Sequence, residues 1–162
     1  MEYNIKNINC EGDKMKIIEQ SPNEEASLVL LEELSKCLKD ITGSSGKSSF
    51  NSLDVLVPRS LFVVAYDENE NAVGCGAFRP INKEIAEVKR VYAKIKAKGI
   101  GKKILIYLEN EAHKRGYSAL VLETRKVNLR AVNFYKAMGY VATANYGKYV
   151  GNTEAICFRK EI

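Results

Sequence analysis

Apolar and polar positions along the chain alternate between two periods, and the places where the period changes predict the elements. Met15 to Glu19 predicts a short strand, and Ser21-Pro22-Asn23-Glu24-Glu25 then supplies helix-start chemistry, with proline early and acids in the first turn. Leu28, Leu31, Leu34, Leu38 and Ile41 recur at three- and four-residue spacing, which predicts a helix with one buried face, stopped by Gly43. Ser44 to Ser52 is rich in Ser and Gly without periodicity and reads as a mobile loop beside a binding site. Leu61 to Tyr66 and Ala72 to Phe78 flank a polar turn cluster and predict a hairpin, extended by Ile85 to Ala93 into an antiparallel meander. From Gly101 the spacing of Ile104, Leu105, Leu108 and Ala112 predicts a helix that ends near Gly116, followed by a buried strand, Ala119 to Glu123. Asn128 is placed to cap a second helix carrying Ala131, Val132, Phe134, Tyr135 and Met138, with Gly139 as its stop. Two strands, Tyr140 to Tyr146 and Glu154 to Lys160, joined through Gly147 and Gly151, complete one α+β domain over residues 1–162, a mixed sheet with helices on its faces.

The composition suits such a domain: 162 residues bury about two thirds of the unfolded surface in one core. No apolar run approaches the roughly 20 residues of a membrane span, and the first nine residues lack a secretory signal, so a cytoplasmic location is expected, with no membrane partner. Cys10, Cys37, Cys75 and Cys157 form no Cys-x-x-Cys pair and His113 is the single histidine, a distribution that argues against a metal and against disulfides. His113, near a helix end among Lys114 and Arg115, reads as a solvated residue. Cys75, in a strand with no histidine near it in sequence, reads as packing or pocket wall. Residues 1 to 14 receive no role. A net charge of +5 does not choose between nucleic acid, acidic membrane and polyphosphate, but seven cations from Lys89 to Lys103 bracket one glycine-containing turn. That clustering favours a local phosphate site, and aromatics are not interleaved with it as a nucleic-acid surface would require.

Glu87 to Leu105 is the strongest local feature. A strand that feeds Gly99-Ile100-Gly101 into a helix leaves the first backbone N–H groups of that helix unpaired, where the dipole favours an anion. Glycines also occur in such turns simply for tight packing. Gly43 to Ser48 is not a P-loop, because the required first glycine falls on Ile41 and no strand precedes it. Gly74-Cys75-Gly76 and Gly99-Ile100-Gly101 both lack the third glycine of a dinucleotide fingerprint.

Lys96 to Gly101 (KAKGIG) resembles the acetyl-CoA signature Gln/Arg-x-x-Gly-x-Gly/Ala of the GNAT superfamily of N-acetyltransferases, with Lys96 in place of the fork-shaped side chain. Val73 to Ile81, Leu120 to Thr124 and Asn128 to Tyr140 are similar to the remaining core of that family in order and distance, so the resemblance covers about residues 61 to 160. It implies a mainly antiparallel mixed sheet of six to seven strands with helices on both faces, and acetyl-CoA as co-substrate. It further implies that backbone groups of Val91, Tyr92 and Ala93 meet the acetyl and pantetheine arm, and that the amides of Lys98, Gly99, Ile100, Gly101 and Lys102 hold the pyrophosphate. Asn128 and Phe134 would flank the thiol end, and Tyr135 takes the place of the tyrosine that protonates the departing thiolate in many relatives. A core aromatic is the competing reading of Tyr135.

Direct transfer to a primary amine requires the substrate ammonium to lose a proton, and Glu87 is the candidate base. Strict alternation puts it on the face of Lys89, Val91 and Ala93; a structural carboxylate paired with Lys89 or Arg90 is its rival reading. The acceptor pocket in this fold implicates Ser44 to Leu61 and Asn145 to Gly151, with Arg79 as clamp for a substrate carboxylate and Asn145, Tyr146 and Tyr149 as the opposite wall. A small-molecule amine is the expected acceptor. A peptide or protein amine, and a non-catalytic acetyl-CoA sensor, are the alternatives, and exposed strand edges near the C-terminus make homodimers common in such folds.

Overall fold

The computed structural model describes residues 14–162; Cys10 lies outside them. Seven strands form one sheet: β1 (Lys16–Glu19), β2 (Leu61–Tyr66), β3 (Ala72–Pro80), β4 (Ile85–Ala93), β5 (Ala119–Arg125), β6 (Val141–Thr143) and β7 (Ala155–Glu161), in the spatial order β1-β2-β3-β4-β5-β7-β6. Only β4 and β5 run parallel; every other neighbouring pair is antiparallel. Three α-helices, α1 (Glu25–Thr42), α2 (Ile100–Lys114) and α3 (Leu129–Ala137), and short 3-10 turns at Lys47–Ser49, Ser52–Val55 and Gly147–Tyr149 complete the fold. The α+β architecture, the strand count and the meander match the expectation. The last strands differ from the expectation: β6 stops at Thr143, because the segment after it leaves the sheet to bring Tyr146 to Glu87 and Tyr149 to Lys89, and β7 lies one residue later.

Alternation along β2 explains the two layers. Leu61, Val63 and Ala65 point into the core under α2 and α3, whereas Phe62 and Val64 pack with Leu30 and Leu34 of α1. Helices therefore cover both faces. The buried face of α1 differs from the predicted one: Leu30 is 1% exposed, while Leu28 and Ile41 are 52% and 49% exposed. Spacing of three and four defined the stripe correctly but centred it one residue away, and Ile41 faces a cavity instead of the core. Gly43 ends α1 at φ 79°, as a left-handed stop requires.

Gly74 and Gly76 do not bind a nucleotide; they admit a helix. A Cβ on Gly74 would stand 2.8 Å from Ile104 Cδ1 and 2.7 Å from the Tyr92 carbonyl, and one on Gly76 would stand 2.7 Å from Ile104 Cγ2. The missing side chains let α2 lie against β3, and that contact aims the N-terminus of α2 at the middle of the sheet.

Candidate active site

The sheet is split at its centre. β4 and β5 pair only through Ile85–Ala119, Ala86–Leu120 and Glu87–Val121. Beyond Glu87 they part, leaving Val88 to Ala93 without a strand partner on that side, while pairing with β3 persists to Ala93. Arg90 adopts φ 55°, and the register slips opposite it between Cys75 and Ala77. This bulge corrects the expected alternation. Glu87 and Lys89 face the α1 side, but Val91 and Ala93 pack with the α2 core, so Glu87 does not share their face.

Into the split opens a cavity of about 790 Å³. On one side stands the N-terminus of α2, capped by Gly99 at φ 71° with no side-chain cap and no acid in the first turn. Its first N–H groups are left for an anion, since intrahelical bonding begins with Lys103 N to the Gly99 carbonyl at 3.0 Å. Gly99, Ile100, Gly101 and Lys102 line the cavity, as do Val91, Tyr92 and Ala93; Lys98 lies in the turn and does not. A Cβ on Gly101 would meet Phe134 at 3.6 Å, so this residue presses the turn against α3. Lys96 turns inward, donating to the Ala93 carbonyl at 2.9 Å over the Tyr92 ring, and burial lowers its pKa.

Asn128 caps α3 by accepting from Ala131 N at 3.2 Å, which points Phe134 and Tyr135 into the cavity. Tyr135 packs edge-on to Phe134 and Tyr140, and its hydroxyl has no hydrogen-bond partner among the described residues. Burial raises its pKa well above the ordinary phenol value, so it keeps its proton at neutral pH.

The α1 side of the split is charged. Glu87, 1% exposed, accepts from Arg79 Nε at 2.8 Å and from the Tyr146 hydroxyl, with Lys89 Nζ at 3.8 Å. Arg79 also binds Asp54. Arg79, expected to clamp a substrate, is therefore saturated by two carboxylates and lines a second, smaller cavity beside Asp54. Glu87 lies behind the wall of the main cavity, and its principal partner is Arg79, not the Lys89 or Arg90 of the structural reading. Asn145 ties its own loop together through the Tyr149 and Asn152 carbonyls, and Tyr146 is turned toward Glu87; of that predicted wall only Tyr149 lines the cavity. Cys75 donates to the Arg90 carbonyl at 3.4 Å, and burial pushes its thiol up to about 12, an inert packing residue.

Sequence reading missed Glu123 and Lys148, and grouped Lys89 and Arg90 with the cations of the phosphate turn; all four line the cavity. Lys89 donates to the Tyr149 hydroxyl at 2.9 Å, and burial lowers its pKa to about 8 despite Glu87 nearby. Glu123, on the β5 side of the split, is raised by burial against the opposing pull of Lys89 and Arg125. Glu123 sits inside the Leu120 to Thr124 run, where strand alternation marks it as facing away from Leu122; nothing in one strand says what lies opposite.

Comparison with known proteins agrees with this geometry. The model of the acetyltransferase (GNAT) family matches residues 28–140. An IAA acetyltransferase of Azospirillum brasilense is 32% identical over 137 residues, 82% of this chain and 88% of that protein. An uncharacterized N-acetyltransferase of Schizosaccharomyces pombe is 35% identical over 92 residues, 55% of this chain and 56% of that protein. Among solved structures, an acetyltransferase from Streptococcus agalactiae superposes with a TM-score of 0.74 at 18% identity over 91% of this chain and 98% of its own. A GNAT family acetyltransferase from Elizabethkingia anophelis with acetyl-CoA bound superposes with a TM-score of 0.67 at 18% identity, over 91% of this chain and 98% of its own. With its sheet split beside an uncapped, glycine-led helix, the chain belongs to the acetyltransferase (GNAT) family.

Proposed function

We propose that the protein is a single-domain enzyme that transfers an acetyl group from acetyl-CoA directly to the primary amine of a small molecule. The observation that carries this is the split between β4 and β5 with the uncapped N-terminus of α2 at one end and the Tyr135 hydroxyl inside it. Acetyl-CoA supplies an activated thioester carbonyl. The backbone amides of Gly99 to Lys102 suit its pyrophosphate, with Lys98 at the turn, and the freed backbone edge of Val91 to Ala93 suits the pantetheine arm, flanked by Asn128 and Phe134.

In such a transfer the acceptor nitrogen loses two protons, one from the ammonium before attack and one after the C–N bond forms, and the sulfur gains one as its bond to the acetyl carbon breaks. Tyr135 holds its proton and has no competing partner among the described residues, which suits it to donate as charge develops on sulfur. Glu123 is the one carboxylate lining the cavity among the described residues, and a carboxylate whose pKa is raised by burial is better matched to accept a proton from an amine. Glu87, bound by Arg79 and Tyr146, holds Lys89 and the last loop in place and relays to the cavity only through them.

A small acceptor is favoured over a polypeptide because the loop after α1 and the loop before β7 touch across the opening, Lys148 Nζ donating to the Ser48 carbonyl at 3.2 Å. Thiol release from acetyl-CoA, measured against amino acids, polyamines, aminoglycosides and short peptides, tests the proposal. Release with one small-amine class is the expected result; release with peptides alone would assign the protein-amine reading, and tight coenzyme binding without release would leave a sensor.

A further inference from the structure

Three cations stand on the acceptor side of the split, Lys89, Arg90 and Lys148, against one cavity-lining carboxylate, Glu123. The neighbouring Asp54, Arg79 and Glu87 leave one net negative charge, which faces Lys89 at 3.8 Å, so Arg90 and Lys148 remain against Glu123. Arg90 has no carboxylate partner among the described residues. Its guanidinium lies over the Phe50 ring at 5.3 Å and donates to the Ser45 carbonyl at 3.3 Å, a single long bond for a group with five donors. The bulge that frees the sheet is centred on this residue, whose backbone takes the left-handed conformation that non-glycine residues rarely adopt. Lys148, exposed, donates to the Ser48 carbonyl, lies 5.6 Å from the centre of the Tyr149 ring and shares the charge of Glu123.

A half-buried guanidinium without a counter-charge, as at Arg90, is costly, and a bound anion would relieve the cost. Burial already lowers the pKa values of Arg90 and Lys89. A polyamine or aminoglycoside would add positive charge beside Arg90 and Lys148, whereas a carboxylate matches the planar fork of Arg90 and leaves the amine end for Glu123.

We infer that the acceptor is an amine that also carries a carboxylate, held by the Arg90 guanidinium with Lys148 beside it while its amine meets Glu123. This rests on the transferase reading above. The subsite differs from the one anticipated at Arg79, which is already occupied by protein carboxylates.

The test uses α-, β- and ω-amino acids, each paired with its decarboxylated amine and its amide. Binding to the enzyme saturated with CoA is followed by calorimetry, and thiol release from acetyl-CoA is followed separately. The acids should bind at least about tenfold more tightly than their neutral or cationic counterparts, within the range of a charge-assisted bidentate contact. Arg90→Met should abolish that preference and Arg90→Lys restore part of it, with acetyl-CoA affinity unchanged as the control for folding. Equal binding of acids and amines, a preference for polyamines, no binding of any acid, or a preference that survives Arg90→Met would each overturn the carboxylate subsite. Acids that bind through Arg90 without being acetylated would leave the subsite standing and remove the transferase reading.

Discussion

The half of the cavity proposed for the coenzyme and the half proposed for the acceptor are built on opposite plans. On the coenzyme side, short contiguous segments carry the chemistry: Gly99 to Lys102 supplies N–H groups and Asn128 to Tyr135 supplies a cap and two aromatics. The chemistry it offers is mostly backbone, and the Lys96 side chain is turned back on the Ala93 carbonyl. On the acceptor side, charged side chains converge from β4, β5 and the loop before β7, which touches the loop after α1 through Lys148 and Ser48. A backbone site depends on where a helix points, whereas a side-chain site depends on who neutralises whom.

The largest effect should come from a substitution that leaves the coenzyme frame intact and removes one function. Tyr135→Phe keeps the ring contacts with Phe134 and Tyr140 but not the hydroxyl. Turnover should fall by about 10²–10³-fold, some 3–4 kcal/mol in the barrier, with the acetyl-CoA Kd nearly unchanged. Unchanged steady-state turnover would make Tyr135 a packing residue.

Breaking the frame itself calls for Gly74→Ala, whose new Cβ would meet the Tyr92 carbonyl at 2.7 Å and Ile100 Cγ2 at 2.9 Å. Denaturant unfolding should show a loss of about 1–3 kcal/mol, the usual cost of overpacking. Because Ile100 opens α2, coenzyme affinity should fall with it; calorimetry showing lost stability but full affinity would uncouple the helix position from the anion seat.

On the acceptor side, Glu123→Gln should lower kcat/KM by about ten- to a hundredfold and leave coenzyme binding alone. The sign of the pH effect follows from burial. Glu123 accepts a proton only when ionised, and its pKa is raised from 4.5, so the acidic limb of the kcat/KM profile should lie above the ordinary glutamate value and vanish in the glutamine variant. A limb that persists would assign it to another group, Glu87 first.

The two halves also differ in how much of them a sequence displays. Runs such as LFVVAY, the Asn128 cap and the glycine turn are local, and local chemistry fixes them: β-branched residues favour a pleated strand, a short amide caps a helix, and only glycine enters αL freely. The bulge at Arg90 carries no such mark, because a non-glycine residue is held at φ 55° by the surrounding sheet. Strict alternation therefore put Glu87 beside Val91. The partners of Arg79 were equally invisible, since Asp54 and Glu87 lie 25 and 8 positions away and reach it only in the folded sheet. Leu30 escaped for a different reason: Leu28, Val29, Leu30 and Leu31 are all apolar, and only the position of the sheet decides which of them is buried.

The smallest expected effect sharpens the comparison most directly, because it asks whether the acceptor half is dry. Lys89 in the folded protein is lowered from 10.5 to about 8, with burial outweighing the attraction of Glu87. Below about 8 both folded and unfolded chains bind this proton, and the cost of burying the ammonium is present in full. Between about 8 and 10.5 the unfolded chain still binds it and the folded chain does not, so this group makes stability rise with pH. Lys89→Met removes that rise. Measured by urea unfolding at the two ends of the window, the difference between wild type and variant should move in favour of wild type by about 1–3 kcal/mol as pH increases. Comparing the two proteins cancels the opposite trend of Cys75, whose raised pKa makes stability fall above 9. A difference that stays flat would mean that Lys89 keeps an ordinary ammonium, that water reaches it between the two loops, and that the acceptor half is as open to solvent as the coenzyme half.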